Sequence, residues 1–389
     1  MKISNRLDSI EPSQTFSIAN RLLQLKKEGC PVIAMNLGEA SIDTPINIAS
    51  AGIEAIHDGH TRYTPIGGTT RLKKAIINKF IRDQHTQFEK NEILVSSGSK
   101  QSISNALLAL LNVGDEVIIP NPSFVSYSSI IRACRGIPIE VELSEEDSFK
   151  INPKKVKSLV TNKTKAIIIN SPNNPTGSVL TKSQIKEIYD IAEKFDLVLI
   201  SDEVYGRMIF SEFENSFFSP SQIDHCKERT ILIHSFSKTF AMTGWRIGAV
   251  TGPEILIKKM GLLFETITSC VPPFIQIAAA EVLDAGPQLT KDMINEYQLR
   301  RDLLVNGLNS IEGICCNKSE GTFYAFANIK SINASSEIFS NDLLNKQFIA
   351  TCPGVYFGKN GEGFVRFCFA NSRENIKKAI DRLQKKFNK

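Results

Sequence analysis

Nowhere in the 389 residues is there a run of about 18 uninterrupted apolar side chains, so a membrane-spanning helix is excluded. An excess of one charge sign is also missing. The 46 Lys and Arg against 41 Asp and Glu leave +5, too small an imbalance to point to nucleic acid or a membrane surface. Basic residues do gather near the C-terminus, in Lys377, Lys378, Arg382, Lys385, Lys386 and Lys389. They alternate there with Ile376, Ile380, Leu383 and Phe387, the pattern of a solvated face on an amphipathic last helix. The eight cysteines include no Cys-x-x-Cys and no Cys/His pair at zinc-ligand spacing. His57 and His60 flank the Asp58-Gly59 turn rather than one helix face, so they make no ligand pair. Residues 1–16 lack the apolar core of a secretion signal. A cytoplasmic protein with reduced thiols is therefore the expectation. Internal repeats, low-complexity tracts and flexible Gly/Ser linkers are missing too, so the parts of the chain should dock tightly. Neither Gly-x-x-x-x-Gly-Lys-Ser/Thr nor Gly-x-Gly-x-x-Gly occurs, which removes the two common nucleotide loops.

What remains is an ordinary globular composition, 42% apolar and 22% charged, with enough length for two or three domains. Short β-branched runs alternate with helical patterns, which predicts an α/β architecture with a mostly parallel sheet. The expected strands are 93–95, 116–119, 137–141, 166–169, 197–200, 230–234 and 246–250; helices are expected at 100–111, 124–133, 182–195 and 254–267. Most of these strands are apolar throughout, as when helices cover both faces. Thr15 to Lys27 reads as an amphipathic helix closed by Gly29. From about Pro287 a long helix, a strand at 323–327, a helix near 337–346, strands at 349–355 and 364–369, and the last helix read as a second, smaller unit.

The segment Ile231 to Val250 carries the most chemistry. Its only basic side chains are Lys238 and Arg246, it has no acid, and Ser235 precedes Lys238 by three. An amine in apolar surroundings loses pKa, and only a neutral amine attacks a carbonyl. A lysine, a hydroxyl and a guanidinium on one strand-loop segment suit a phosphate-bearing aldehyde cofactor.

Ser-x-Ser-Lys followed by Gly-Trp-Arg-Ile-Gly resembles the lysine motif of the class I pyridoxal-phosphate aminotransferases, relatives of aspartate aminotransferase. The resemblance runs from about Pro12 to the C-terminus and includes five motifs in the family's order. Asn170-Ser-Pro-Asn-Asn-Pro-Thr-Gly177 follows a strand and on its own is a turn; the resemblance makes Asn174 a partner of the cofactor's phenolic oxygen. Ser201-Asp-Glu-Val-Tyr205 ends another strand. By resemblance Asp202 faces the pyridine nitrogen and keeps it protonated, and Tyr205 donates to the phenolate. Ser97-Gly-Ser-Lys-Gln101 opens a helix, where backbone amides bind phosphate well. Gly98, Ser99 and Lys100, with Ser235 and Arg246, resemble the family's phosphate cradle. Arg366 lies in the apolar run Gly363 to Phe369, where a charge is costly unless paired. The resemblance gives it, with Gly38, the substrate α-carboxylate. Phe124 takes the ring-stacking position, and Tyr63 matches a tyrosine that reaches the phosphate of a neighbouring subunit, which implies a homodimer with shared sites. Lys100, with Thr15, resembles the pair that meets the distal carboxylate of acidic substrates in a bacterial subgroup. Two departures bear on the substrate: Phe124 stands where many relatives have Trp, and Ala40 where many have Pro.

The resemblance implies fold type I, with a large pyridoxal 5′-phosphate domain at 48–290 and a smaller α+β domain from 1–47 and 291–389. It implies ping-pong transfer of an amino group between an L-amino acid and a 2-oxo acid, with Lys238, Asp202 and Tyr205 catalytic, aspartate, glutamate or aromatic donors, and no metal. Two rivals are a C–S lyase of the same fold and a non-catalytic binding relic; the intact reactive residues and the lack of an added helix-turn-helix argue against the relic.

Overall fold

A computed structural model describes Asp8, Ile10 and residues 15–388. Its largest sheet has seven strands in the order Ile93–Ser96, Gly248–Thr251, Thr230–Ser235, Val198–Asp202, Thr164–Asn170, Glu116–Asn121, Ile137–Glu142. Gly248–Thr251 runs against both neighbours, and the remaining pairs are parallel. This is the α/β fold of a mostly parallel sheet. The inner strands are β-branched on both faces, so each must be covered on both sides; Ile167, Ile168, Leu199, Ile200, Leu232 and Ile233 are all fully buried. Ile137–Glu142 departs from the expected all-apolar pattern. It is one of the two edge strands, contains Pro138, and leaves Ile137 44% exposed.

The helices Ser99–Leu110, Lys182–Lys194 and Glu254–Ile267 lie within a residue or two of their expected positions. The helix expected from Phe124 starts instead at Ser126, which leaves Phe124 in the loop before it. Three longer helices were not expected, Ile46–His57, Thr70–Gln84 and Pro273–Asp284, nor were the short Pro153–Ser158 and Ser221–Asp224. Pro273–Asp284 buries Gln276, Ala278, Ala279, Ala280, Val282 and Leu283 around much of its girth, so it shows no clear polar stripe.

The smaller unit joins both flanks of the chain. Ile33–Ala34 pairs in parallel with Ile349–Ala350. A separate antiparallel sheet runs Cys352–Pro353, Phe364–Cys368, Tyr324–Asn328, Cys315–Cys316. The single strand expected at 349–355 is thus two short pieces followed by the 3₁₀ turn Gly354–Phe357. Pro353 has no amide to continue a ladder. Gly354 also passes so close to another loop that a Cβ would sit 2.0 Å from the Gly361 carbonyl oxygen. Gln288–Asn309 packs against Arg373–Phe387, with Gly307 giving room to Ile380. Leu304, Leu308, Val365, Phe367, Ile376 and Leu383 form the second core.

None of the eight cysteines forms a disulfide, and five of them are buried. Among the described residues no group of three or more His, Cys, Asp or Glu could hold a metal ion, and no helix is long and apolar enough to cross a membrane.

Candidate active site

Parallel strands present their carboxyl ends on one side of a sheet, and there a ligand crevice forms. Here Asn170 and Asp202 terminate two adjacent strands, and the strand beside them leads into the loop carrying Lys238. Between these ends and the smaller sheet lies a cavity of about 290 Å³. Gly38, Ser99, Lys100, Phe124, Asn174, Asp202, Tyr205, Lys238, Arg246 and Arg366 all line it, although they span most of the chain.

Lys238 donates from Nζ to the Gly38 carbonyl oxygen at 2.5 Å. Burial lowers its pKa to about 8, with the Arg366 and Arg246 charges acting in the same direction. Part of the amine is therefore neutral near physiological pH. In the same cavity, Asp202 accepts from the Tyr127 hydroxyl at 2.5 Å and from the Val204 amide at 3.2 Å. Burial raises this carboxyl to about 6, and no cation among its neighbours offsets the effect. Its strand end is pinned from both sides. Asn170 Nδ2 donates to the Asp202 carbonyl, while the next residue, Glu203, accepts from Ser201, Gln84 and Ser219 in the buried layer behind.

Arg366 bridges the two halves of the cavity. Nη1 donates to Asn174 Oδ1 at 2.9 Å and Nη2 to the Asn36 carbonyl at 2.6 Å, while the buried Nε has no hydrogen-bond partner. Two of the five guanidinium donors are thus occupied, and the rest remain for an anion. Its charge lies 4.2 Å above the Tyr324 ring.

At the opposite wall, the helix Ser99–Leu110 begins after Gly98, whose φ of +92° favours glycine. A Cβ there would lie 2.4 Å from Arg246 Nη2, so the guanidinium rests directly against the bare backbone. Arg246, itself left-handed at φ +54°, donates to the Thr243 and Ser97 carbonyls. Lys100 Nζ lies 5.6 Å from the Phe124 ring, and burial and Arg246 both lower its pKa. A helix N-terminus, a guanidinium and an ammonium meeting at one spot form an anion site.

Two of the expected residues lie behind this surface. Gly98 contributes backbone, and Ser235 is fully buried, its hydroxyl accepting from the Ser237 amide. Ser237 lines the cavity instead. Tyr63 is 89% exposed and lies off the cavity of its own chain. Thr15 opens the helix Thr15–Lys27, but its side chain lies outside the described residues. The sequence reading missed Tyr127, Asn36, Thr243 and Tyr324. Tyr127, three residues after Phe124, is the one that local spacing could have suggested.

The architecture and these residues have counterparts. The family model for aminotransferase class I and II matches residues 31–383. An aspartate/prephenate aminotransferase of Nitrosomonas europaea is 38% identical over 98% of this chain and 99% of its own. An aromatic-amino-acid aminotransferase of Thermococcus litoralis is 37% identical over 99% and 98%. The aspartate aminotransferase structure from Rhizobium meliloti superposes with a TM-score of 0.94 at 35% identity, covering 98% of both chains. A family match over residues 31–383 and 37–38% identity across nearly the whole length carry the conclusion: the chain belongs to the class I and II aminotransferases.

Proposed function

We propose that this aminotransferase uses pyridoxal 5′-phosphate and moves an amino group between an L-amino acid and a 2-oxo acid by a ping-pong route. The observation that carries the reading is Asp202, a buried carboxyl without a cation, in the same cavity as an amine lowered to about 8. A ring nitrogen bearing a proton would supply the missing cation, an aldehyde would meet Lys238, and a phosphate suits the Gly98–Arg246 corner. The residues present fit the group. Lys238, Asp202, Asn174, Tyr205, Phe124, Gly98, Ser99, Lys100 and Arg246 would hold it. When bound, it supplies an electron sink for the charge left on a deprotonated α-carbon.

This chain's residues do the rest. Lys238 Nζ, neutral in part at pH 7–8, takes the proton from the α-carbon and would return it on the far side of the amino nitrogen, two bonds along. Asp202 would hold negative charge against a ring nitrogen. Tyr205, neutral because burial holds its pKa well above the ordinary value, donates a hydrogen bond into the cavity. Arg366 and Gly38 fix the substrate carboxylate, which aligns the α-hydrogen with Lys238. We assign residues 48–290 to the cofactor-binding domain and 1–47 with 291–389 to the smaller one. The separate sheets support this division. Exposed Tyr63 suits a phosphate contact in a second copy of the chain, hence a homodimer with shared sites in the cytoplasm. The test is to mix purified protein with pyridoxal 5′-phosphate, twenty amino acids, and 2-oxoglutarate or pyruvate. Visible absorption and oxo-acid-dependent turnover are expected; a colourless protein overturns the reading.

Two substitutions probe substrate contacts. Arg366→Lys replaces a planar fork with a point charge, and each bidentate contact is worth about 1.5–3 kcal/mol. KM should rise ~10–100-fold for every donor, since one kcal/mol is about a fivefold change. A rise limited to one donor would place Arg366 in a side-chain pocket. Acidic and aromatic donors are both proposed, and Lys100 distinguishes them. Its ammonium lies beside the anion corner, so Lys100→Ser should raise KM for aspartate and glutamate more than for phenylalanine. Equal rises would assign Lys100 to the phosphate.

A further inference from the structure

No motif in the sequence points to Tyr324, which opens the strand Tyr324–Asn328. Antiparallel register sets it opposite Cys368 and sets Phe326 opposite Arg366, so Tyr324 and Arg366 share the face turned to the cavity. The side chain is 1% exposed and makes three contacts there. Its hydroxyl lies 2.9 Å from the Tyr205 hydroxyl, and its ring lies 4.2 Å beneath the Arg366 charge. Its oxygen also fills the space where a side chain at residue 38 would begin, since a Cβ on Gly38 would lie 1.9 Å from it. We propose that Tyr324 is a positioning residue for transamination, donating its proton to Tyr205 so that the Tyr205 proton turns into the cavity, while its ring holds Arg366 level. The inference rests on the reading of the cavity as a pyridoxal-phosphate site.

The argument is a proton count. Burial keeps both phenols neutral, so they hold two protons, and only one can lie between the two oxygens. The Arg366 charge opposes burial on both phenols, but the Asp202 charge adds to burial on Tyr205 alone, which makes Tyr324 the better donor of the pair. Tyr205 then accepts, and its own O–H is left to point elsewhere. A hydroxyl that accepts one hydrogen bond donates a stronger one. Without the Tyr324 hydroxyl, Tyr205 loses this bias and donates more weakly to any oxyanion in the cavity. The Arg366 contact is separate from this chain of protons, because it depends on the aromatic face and not on the hydroxyl.

Tyr324→Phe keeps the ring and removes only the hydroxyl. The pH midpoint of the bound cofactor's visible absorption should move up by about half a unit. Turnover should fall about fivefold, with donor KM nearly unchanged. Tyr324→Leu removes the ring as well and should add a rise in KM of about two- to fivefold. Because Tyr324 acts through Tyr205, the same Phe substitution in a Tyr205→Phe background should move the midpoint no further. An unmoved midpoint in Tyr324→Phe overturns the proposal, as does a full second shift in the Tyr205→Phe background. A wild-type protein that takes up no pyridoxal phosphate instead overturns the underlying reading, and it fails before any substitution is made.

Discussion

Lys238→Ala lowers transamination by at least ~10⁴-fold, because it removes both the carbonyl-attacking amine and the group that carries the proton. Folding survives, since the lysine side chain contributes a single hydrogen bond to Gly38. Its charged form is disfavoured by burial, with the pKa lowered from 10.5 to about 8. The pH dependence has a definite sign. Between about 8 and 10.5 the native state binds fewer protons than the unfolded chain, so cofactor-free wild type gains stability as pH rises through that window. Below about 8 the full cost is present. The alanine variant should lose the Lys238 share of this rise in a thermal-melting series, while buried Lys79, also lowered to about 8, keeps its own. Wild type should also capture pyridoxal phosphate faster as pH climbs through 8, and borohydride reduction should leave the adduct mass on wild type alone. Multiple turnovers by Lys238→Ala would overturn the assignment of the proton carrier.

Asp202→Asn separates stability from activity. In cofactor-free protein the carboxyl rises from 3.8 to about 6, which at neutral pH corresponds to about 3 kcal/mol of unrecovered burial cost. A group raised in the fold stabilises it as pH falls below about 6 and destabilises it above. The neutral amide removes that cost and can still accept from Tyr127. Cofactor-free Asp202→Asn should therefore melt no lower than wild type at pH 8. Turnover should drop about 10²–10³-fold, in line with the 3–5 kcal/mol lost when one partner of a buried ion pair is deleted. Near-normal turnover would place the ring nitrogen away from this strand end.

Why these residues were legible follows from where they sit. Asp202, Asn174 and Lys238 lie at the ends of all-apolar strands or just beyond them, and there a polar run stands out against its neighbours. The strands themselves were readable because burial on both faces demands runs such as Ala166-Ile-Ile-Ile169. Pro273–Asp284 was not, since its wide buried surface leaves no 3.6-residue stripe. Tyr324 and Asn36 were equally silent. Each enters the cavity through pairing or a backbone carbonyl, and neither leaves a local pattern. Ser235 shows the opposite limit: its spacing from Lys238 was read correctly, yet the loop turns Ser237 to the cavity.

The pairing of Ile33 with Ile349 has a consequence for how the enzyme is made. Asn36 and Gly38 leave the ribosome roughly 300 residues before Arg366 and Tyr324, so at ~5–20 residues per second one lip of the cavity waits tens of seconds for the other. Ile33 and Met35, buried in the finished molecule, lack their backbone partners Ile349, Ala350 and Cys368 for most of that interval. The seven-stranded sheet can close in the meantime, because its last strand ends at Thr251. Synthesis thus yields all seven strands of the large sheet well before it yields the second wall of the cavity, and for that period the apolar segment around Ile33 lacks its pairing strand.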